Sequence, residues 1–250
     1  MRYMEICCGS AADAFEAWAG GAPRVEFCSA LEAGGLTPSP GAVLQTLGEC
    51  PGMDVNVLIR PRKGDFVYSP REISVMEKDI AFFREAGVHG VVFGALTPEG
   101  DVDRETCARL LKAAKDGDNP LSCTFHRAFD VCREPFAALG DIVSLGFDTI
   151  LTSGQASSAE AGISLLRDLI KAAAGRIVIM PGAGINPANI SRIESLTGAR
   201  EFHSSASLTE APEPVITNPA VDFEENKPRR RTDRAIVAKL VGNQGETFIA

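Results

Sequence analysis

The sequence predicts a single (β/α)₈ barrel. Short runs rich in β-branched residues alternate with helical patterns almost from end to end, and eight such pairs can be counted. The length of 250 residues matches one barrel domain, which has about 250. No GxGxxG sequence follows the first strand, which disfavours an open doubly wound sheet and, with it, a nucleotide cofactor.

The elements follow one another in strict order, strand then helix. The predicted strands are 3–8, 24–28, 55–60, 90–93, 121–126, 149–152, 177–180 and 200–203. The predicted helices are 11–19, 41–47, 70–86, 103–115, 135–145, 159–173 and 187–196. Three of them begin with a capping side chain followed by proline, at Ser39-Pro40, Ser69-Pro70 and Asn186-Pro187.

The pattern changes near the C-terminus. We expect residues 1–208 to form the barrel core and residues 209–250 to belong to the same domain. Residues 209–231 are rich in Pro, Glu and Arg without periodicity, which predicts an irregular excursion with a solvated linker at Arg229, Arg230 and Arg231. A last helix is predicted at 232–241, with Thr232 as its candidate cap.

Composition excludes several classes of protein. The net charge of −8 disfavours a nucleic-acid partner, and no stretch is apolar enough to cross a membrane. The first residues carry Glu5 where a secretory signal needs an apolar run, so we expect a cytoplasmic protein. Seven cysteines without CxxC spacing are typical of reduced thiols rather than a disulfide framework.

Alternation along the strands predicts which side chains enter the barrel. If the apolar positions face the helices, Glu5 and Cys7 point inward from the first strand and Glu26 and Cys28 from the second. One interpretation is a structural charge layer in which Arg24 and Arg60 neutralise Glu5 and Glu26.

The other interpretation is an active site, since barrel enzymes carry it at the C-terminal ends of the strands. His126 and His203 end the fifth and eighth strands and are candidate general acids or bases. Glu5, Glu26 or Asp130 would then orient the histidine.

Several residues near the strand ends suggest an anionic ligand. The loop at 60–68 carries three cationic residues on an acidic protein, and small residues follow strands seven and eight, where barrels commonly hold phosphate. The candidate anion-binding residues are Arg60, Arg62, Ser153, Gly182, Gly184, Ser204 and Ser205.

Two inward thiols suggest a metal. Cys7 and Cys28 are predicted at similar depth on adjacent strands, which lie about 4.8 Å apart. Two thiolates favour Cu(I) or zinc over hard cations. The alternative is a pair of ordinary core cysteines.

The sequence resembles the CutC copper homeostasis family. The resemblance rests on MEIC at 4–7, RVEFC at 24–28, EAGGLTPS at 32–39, IRPRKGDFVYS at 59–69, TFHRAFD at 124–130, LTSG at 151–154 and EFHSSA at 201–206. It implies a cytoplasmic barrel that associates with copper, forms homodimers or larger homo-oligomers, and binds copper(I) through Cys7 and Cys28. Lys63 departs from a usual glycine, and 209–231 matches the family poorly.

Two functional hypotheses follow. The first is copper homeostasis, with copper(I) bound by Cys7 and Cys28 and His203 as a candidate third ligand. The second is a barrel enzyme of lyase, isomerase or hydrolase type. It would act on a small anionic or phosphorylated metabolite with the histidines, glutamates and arginine at the strand ends.

Overall fold

A computed structural model describes residues 2–211 and 228–242. Within them, eight parallel strands alternate with eight helices. The strands are β1 (Tyr3–Cys8), β2 (Arg24–Phe27), β3 (Asp54–Leu58), β4 (Gly90–Phe93), β5 (Ser122–Phe125), β6 (Thr149–Thr152), β7 (Val178–Pro181) and β8 (Glu201–Ser204). The helices are α1 (Ala11–Ala19), α2 (Pro40–Glu49), α3 (Pro70–Ala86), α4 (Arg104–Lys115), α5 (Pro135–Leu145), α6 (Ile163–Ala173), α7 (Ile190–Thr197) and α8 (Arg234–Val241).

The strands form the predicted barrel in sequence order. Parallel pairing runs without a crossover from β7 back to β1, and β1 pairs with β8 on its other edge. At the remaining seam, the Ser204 hydroxyl donates to the Ile185 carbonyl oxygen at 2.7 Å. A Cβ placed on Gly182 at the end of β7 would lie 3.4 Å from Cβ of His203 in β8. The two strands therefore meet and close the ring.

Two separate apolar layers reflect the alternation along each strand. Outward-facing residues such as Met4, Ile6 and Phe27 are fully buried between strands and helices in the large core. A much smaller cluster inside the barrel contains Cys28, Leu58 and Val92 with Cys7 against it. Barrel interiors are normally filled by branched apolar side chains. Polar side chains such as Glu5, Arg24 and Asn56 are also buried there, together with Met180, whose Sδ accepts from Nη2 of Arg24 at 3.4 Å.

The proline-marked helix starts are confirmed at two of three positions. The Ser39 hydroxyl accepts from the amide of Ala42, and Ser69 forms a reciprocal capping box with Glu72. The predicted start at Asn186 is wrong. There the Asn186 side chain accepts from the amide of Ala188 in a local turn, and the helix begins only at Ile190.

Helix α6 also begins later than predicted, at Ile163 rather than 159. The chain turns first, and Gln155 adopts a left-handed conformation with φ of 53°. Gly162 then packs so tightly that an added Cβ would lie 1.9 Å from the Ser153 carbonyl oxygen. A helical pattern in the sequence cannot reveal this contact with a distant strand end.

The expectation of an irregular 209–231 segment is wrong at both ends. Strand β9 (Ser207–Glu210) pairs antiparallel with β10 (Arg229–Thr232), so the arginine run forms an exposed strand rather than a linker. Residues 212–227 lie outside the described part of the chain. The amide of Thr232 donates to Asp13 of α1 at 2.9 Å, and Asp233, not Thr232, caps α8.

The last helix packs against the first. A Cβ on Gly20 would lie 2.7 Å from Cβ of Val237, which measures how closely the end of α1 approaches α8. In the described residues, no helix has the length and apolar composition that a membrane crossing requires.

Candidate functional site

A charge layer, made of charged and polar side chains, lies inside the barrel. Arg24 of β2 donates from Nε to Glu5 at 2.8 Å and from Nη2 to Glu201 at 2.7 Å. Asn56 of β3 donates from Nδ2 to the same Glu5 oxygen at 3.0 Å. Glu5 has no exposed surface. Arg24 and Asn56 therefore compensate the charge of Glu5, as a buried carboxylate requires.

Glu5 also holds His203, which joins this layer to the barrel mouth, the space at the C-terminal ends of the strands. Nδ1 of His203 lies 2.9 Å from Oε1 of Glu5, and its Nε2 lies 3.6 Å from Oε2 of Glu26. Burial raises the pKa of Glu5, but His203 and Arg24 outweigh it and hold that pKa below its ordinary value. Burial opposes the charge of His203, yet the neighbouring Glu26, Cys7 and Glu5 hold its pKa well above the usual value.

The two inward cysteines form a thiol pair directly beside His203. Strand register explains their approach, because the amide of Cys28 donates to the carbonyl of Cys8 and both side chains enter the barrel. The sulfur atoms of Cys7 and Cys28 lie 4.0 Å apart. One ligand atom from each of them and one from Glu26 all lie within 4.8 Å of one another.

The surroundings make the two thiols unequal. The hydrogen bond from Cys28 and the proximity of His203 lower the pKa of Cys7 to about 5, against the opposing effect of burial. The same hydrogen bond and burial raise the pKa of Cys28 well above its ordinary value. Burial raises the pKa of Glu26 to about 8. Cys7 is therefore the more acidic of the two thiols, and Cys28 is the one that holds its proton more tightly.

The geometry fits one soft metal ion. Zinc–thiolate bonds are ~2.3 Å long, so two of them span up to ~4.6 Å, and a sulfur separation of 4.0 Å admits an ion between the two thiolates. Thiolate pairs select Cu(I) or zinc. The donor set suits either ion, since sulfur predominates and a carboxylate oxygen lies beside it.

A glycine forms a roof over Cys28, one member of the thiol pair. Gly35, in the loop after β2, has φ of +85°, and a Cβ there would lie 2.8 Å from Leu58 and 3.6 Å from Sγ of Cys28. Cys28 is thereby almost completely buried, whereas Cys7 keeps some exposure. Cys7 is therefore the more accessible residue of the pair.

Arg60 lies two residues beyond β3 and holds this roof in place. Its Nη1 donates to the carbonyls of residues 33–35 at 3.2–3.4 Å, and its Nη2 donates to the Gly64 carbonyl at 2.8 Å. Arg60 therefore joins the loops after β2 and β3. The predicted charge layer is therefore half right. Arg24 pairs with Glu5, but among the described residues Arg60 forms no ion pair with Glu26.

His126 lies just after β5 in a buried, largely apolar setting. Its Nδ1 accepts from the amide of Ala128 at 3.2 Å, so the neutral ring carries its proton on Nε2. The Phe66 ring packs edge-on against it with centroids 4.8 Å apart. Burial, and secondly the charge of Arg60, lower the pKa of His126 to about 3. At neutral pH its Nε2 is thus a hydrogen-bond donor.

Asp130 and Ser153 lie together on the far side of the mouth, where they order the loop after β6. The Asp130 carboxylate accepts from the amides of Ser153 and Gln155 at 2.9–3.3 Å and from Nε of Arg127 at 2.7 Å. The Ser153 hydroxyl donates to the Ala156 carbonyl. Both side chains are thus engaged within the loop, and their predicted catalytic and ligand roles stay predictions.

The remaining anion candidates lie around the rim. Arg62 is partly exposed and pairs with Asp65 of its own loop and with Glu72 in the first turn of α3, so both carboxylates balance its charge. The amide of Gly182 donates to the Thr152 carbonyl, while the Gly184 carbonyl accepts from two asparagine side chains.

Two serines extend this rim along β8 and beyond. Ser204 donates to the carbonyl of Ile185, and the hydroxyl of Ser205 lies 3.0 Å from that of Ser207. Phosphate binding by the turns after β7 and β8 stays a prediction.

Three residues of the site were not predicted from the sequence: Gly35, Phe66 and Tyr68. All lie in loops, where no period links position to direction. One signal was available, because the two aromatic residues stand in a glycine-containing loop directly after the predicted strand 55–60, which ends in Arg60.

Comparison with known proteins identifies the family. The CutC family profile matches residues 2–208. A CutC family protein of Parabacteroides distasonis is 53% identical over 205 residues, covering 82% of this chain and 83% of the relative. The copper homeostasis protein cutC homolog of Homo sapiens is 50% identical over 206 residues, covering 82% of this chain and 74% of the relative.

Solved structures agree. The crystal structure that carries the CutC name from Streptococcus agalactiae superposes with a TM-score of 0.76 at 34% identity, covering 82% of this chain and 99% of that one. An aldolase named QR15 reaches a TM-score of 0.63 at 14% identity, covering 82% of this chain and 90% of that one, which reflects the shared barrel fold alone. By its sequence profile, its relatives and its structure, this chain belongs to the CutC family of copper homeostasis proteins.

Proposed function

We propose that this protein binds copper(I) in the cytoplasm as part of copper homeostasis, with Cys7 and Cys28 as its thiolate ligands. The observation that carries this proposal is the 4.0 Å separation of the two sulfurs on adjacent strands inside the barrel. Both thiols must remain reduced to bind, as the cytoplasm ensures. The family resemblance also supports a homo-oligomer.

The surrounding residues would prepare the thiols for the ion. Cys7 is ready as a thiolate, held by His203, and Cys28 loses its proton when the ion arrives. Glu26 offers an oxygen beside them. Glu5 fixes the orientation of His203 through Nδ1, which leaves Nε2 facing the thiol pair. Such outer partners tune a metal site strongly.

An anaerobic competition titration with a Cu(I) chelator tests the proposal. We expect Cys7→Ala and Cys28→Ala each to weaken Cu(I) binding by more than the roughly 10- to 100-fold that loss of an outer hydrogen-bond partner costs. Cys107→Ala is the matched control, because Cys107 is as buried as Cys28 but lies on α4, in the core between strands and helices. Affinity unchanged in Cys7→Ala/Cys28→Ala would exclude the thiol pair as the site.

A second candidate function is catalysis on a small anionic or phosphorylated metabolite. It is favoured by the His203–Glu5 pair, in which a buried carboxylate orients an imidazole at the mouth of a barrel. A screen of phosphorylated and carboxylated metabolites, read by mass spectrometry, tests it. We expect turnover by the parent that falls roughly 10²- to 10⁴-fold in His203→Gln. No turnover by the parent, or equal turnover by His203→Gln, contradicts this candidate.

A further inference from the structure

Three buried donor atoms beside the barrel mouth have no hydrogen-bond partner among the described residues. They are Nε of Arg60, the hydroxyl of Tyr68 and Nε2 of His126. Each side chain belongs to a residue that is more than nine-tenths buried. Buried polar groups are almost always paired, because an unpaired one costs about 1–3 kcal/mol. Three in one region therefore require an explanation.

Two of the three residues contact the same aromatic ring, that of Phe66, and the third stands two positions further along the loop that carries this ring. The Arg60 guanidinium lies over the Phe66 ring at 4.9 Å, and the His126 ring packs against Phe66 at 4.8 Å. Tyr68 is two residues further along the same loop, and its ring lies under the guanidinium of Arg62. We call Arg60, Tyr68 and His126 the donor cluster.

All three atoms present hydrogen. Nε of Arg60 is always a donor. Nε2 of His126 carries the ring proton because Nδ1 accepts from a backbone amide. Burial raises the pKa of Tyr68 to about 12, so its hydroxyl keeps its proton at neutral pH. A bound acceptor would complete all three, since Nε of Arg60 and Nε2 of His126 can only donate and the Tyr68 hydroxyl has a proton to give.

The local charge has the sign that an anion needs. Within residues 2–211 and 228–242, the partners of the Arg60 guanidinium are neutral carbonyls, and no carboxylate forms an ion pair with it. Asp65 is the acidic residue of the same loop, and it is exposed and pairs with Arg62. A buried cation without a counter-charge is costly, and a bound oxyanion would remove that cost.

We propose that the donor cluster binds a small oxyanion, the carboxylate or phosphate group of a metabolite, at a site separate from the thiol pair. The proposal depends neither on copper binding nor on turnover. Because the cluster lies where strands β3 and β5 end, a ligand held there would occupy the same mouth into which His203 faces. The donor cluster would recognise an anion that Arg60 alone would not bind, because both Nη atoms of Arg60 already donate to loop carbonyls.

The test follows the His126 Nε2–H signal by nitrogen-15 NMR while inorganic phosphate or acetate is added, with chloride at equal ionic strength as reference. We expect a saturable shift of this signal with phosphate, acetate or both, and the stronger of the two identifies the group. Tyr68→Phe, which keeps the ring beneath Arg62, should weaken binding about tenfold or more, as loss of a hydrogen bond to a charged group does.

Two controls separate this proposal from the others. Arg133→Ala, at an exposed surface ion pair with Asp101, should bind the anion like the parent. Cys7→Ala/Cys28→Ala should do the same, even if it loses copper. If chloride reproduces the shift, if neither anion shifts the signal, or if Tyr68→Phe binds as tightly as the parent, water satisfies these donors and the proposal is wrong.

Discussion

Replacing Glu5 with alanine is expected to lower the free energy of unfolding by about 3–5 kcal/mol, the usual effect of removing one partner of a buried ion pair. Glu5 accepts from Arg24 and Asn56 and pairs with His203, and no part of it is exposed. Removing this carboxylate leaves two cationic side chains, Arg24 and His203, and the amide of Asn56 around an empty space. Urea unfolding of Glu5→Ala and the parent measures the difference.

A surface pair provides the matched control. Glu194 pairs with Arg2 at 2.7 Å, as close as the pair inside the barrel, but both side chains are partly exposed. Glu194→Ala should therefore cost no more than about 1 kcal/mol. If Glu5→Ala is as mild as Glu194→Ala, the polar interior of the barrel contributes little to folding and our description of the charge layer fails.

Acidification should destabilise the protein through His126. In the fold its pKa is about 3, whereas an unfolded histidine titrates near 6.5. Below pH ~6.5, His126 binds a proton in the unfolded chain but not in the folded one. Stability is therefore lost as pH falls from ~6.5 towards 3. Between pH 7 and pH 5 the loss from this residue is expected to be about 2 kcal/mol.

The variant His126→Asn isolates this effect. Asparagine cannot titrate, and its side-chain oxygen can still accept from the amide of Ala128. We expect its unfolding free energy to fall about 2 kcal/mol less than that of the parent between pH 7 and pH 5, whatever its stability at pH 7. Equal slopes for His126→Asn and the parent would show that His126 takes up its proton in the folded state.

The strands were predictable because their period is fixed by the backbone. If Met4 and Ile6 of β1 face the helices, Glu5 and Cys7 must point into the barrel. The neighbouring strand then places Cys28 beside them. The pairing of Arg24 with Glu5 follows from the same reasoning. Sequence order around a barrel then brings His203 next to the first strand.

Side chains beyond the strand ends were not predictable in this way. Arg60 was expected to meet Glu26 or a ligand, but its guanidinium bends to loop carbonyls. The late start of α6 depends on a contact between Gly162 and Ser153. The β9–β10 pairing joins segments far apart in sequence, and arginine-rich residues give no strand pattern. In each case a contact outside the element itself, rather than the local preference, sets the outcome.

These contacts divide the mouth of the barrel into two regions. The thiol pair, roofed by Gly35 and oriented by His203, provides soft ligands at the ends of β1 and β2. The donor cluster provides hard, hydrogen-bonding groups beyond β3 and β5. Arg60 connects them, since it fixes the roof of the first with its Nη atoms and contributes Nε to the second.

X-ray absorption at the copper edge tests the central claim, copper(I) between Cys7 and Cys28, most directly. The protein would be loaded anaerobically with one equivalent of Cu(I), in the parent, in Cys7→Ala/Cys28→Ala and in Cys107→Ala. We predict two sulfur scatterers in the first shell for the parent and for Cys107→Ala, and their loss in the double variant. A first shell of nitrogen or oxygen alone in the parent, or an unchanged sulfur shell in the double variant, would contradict it.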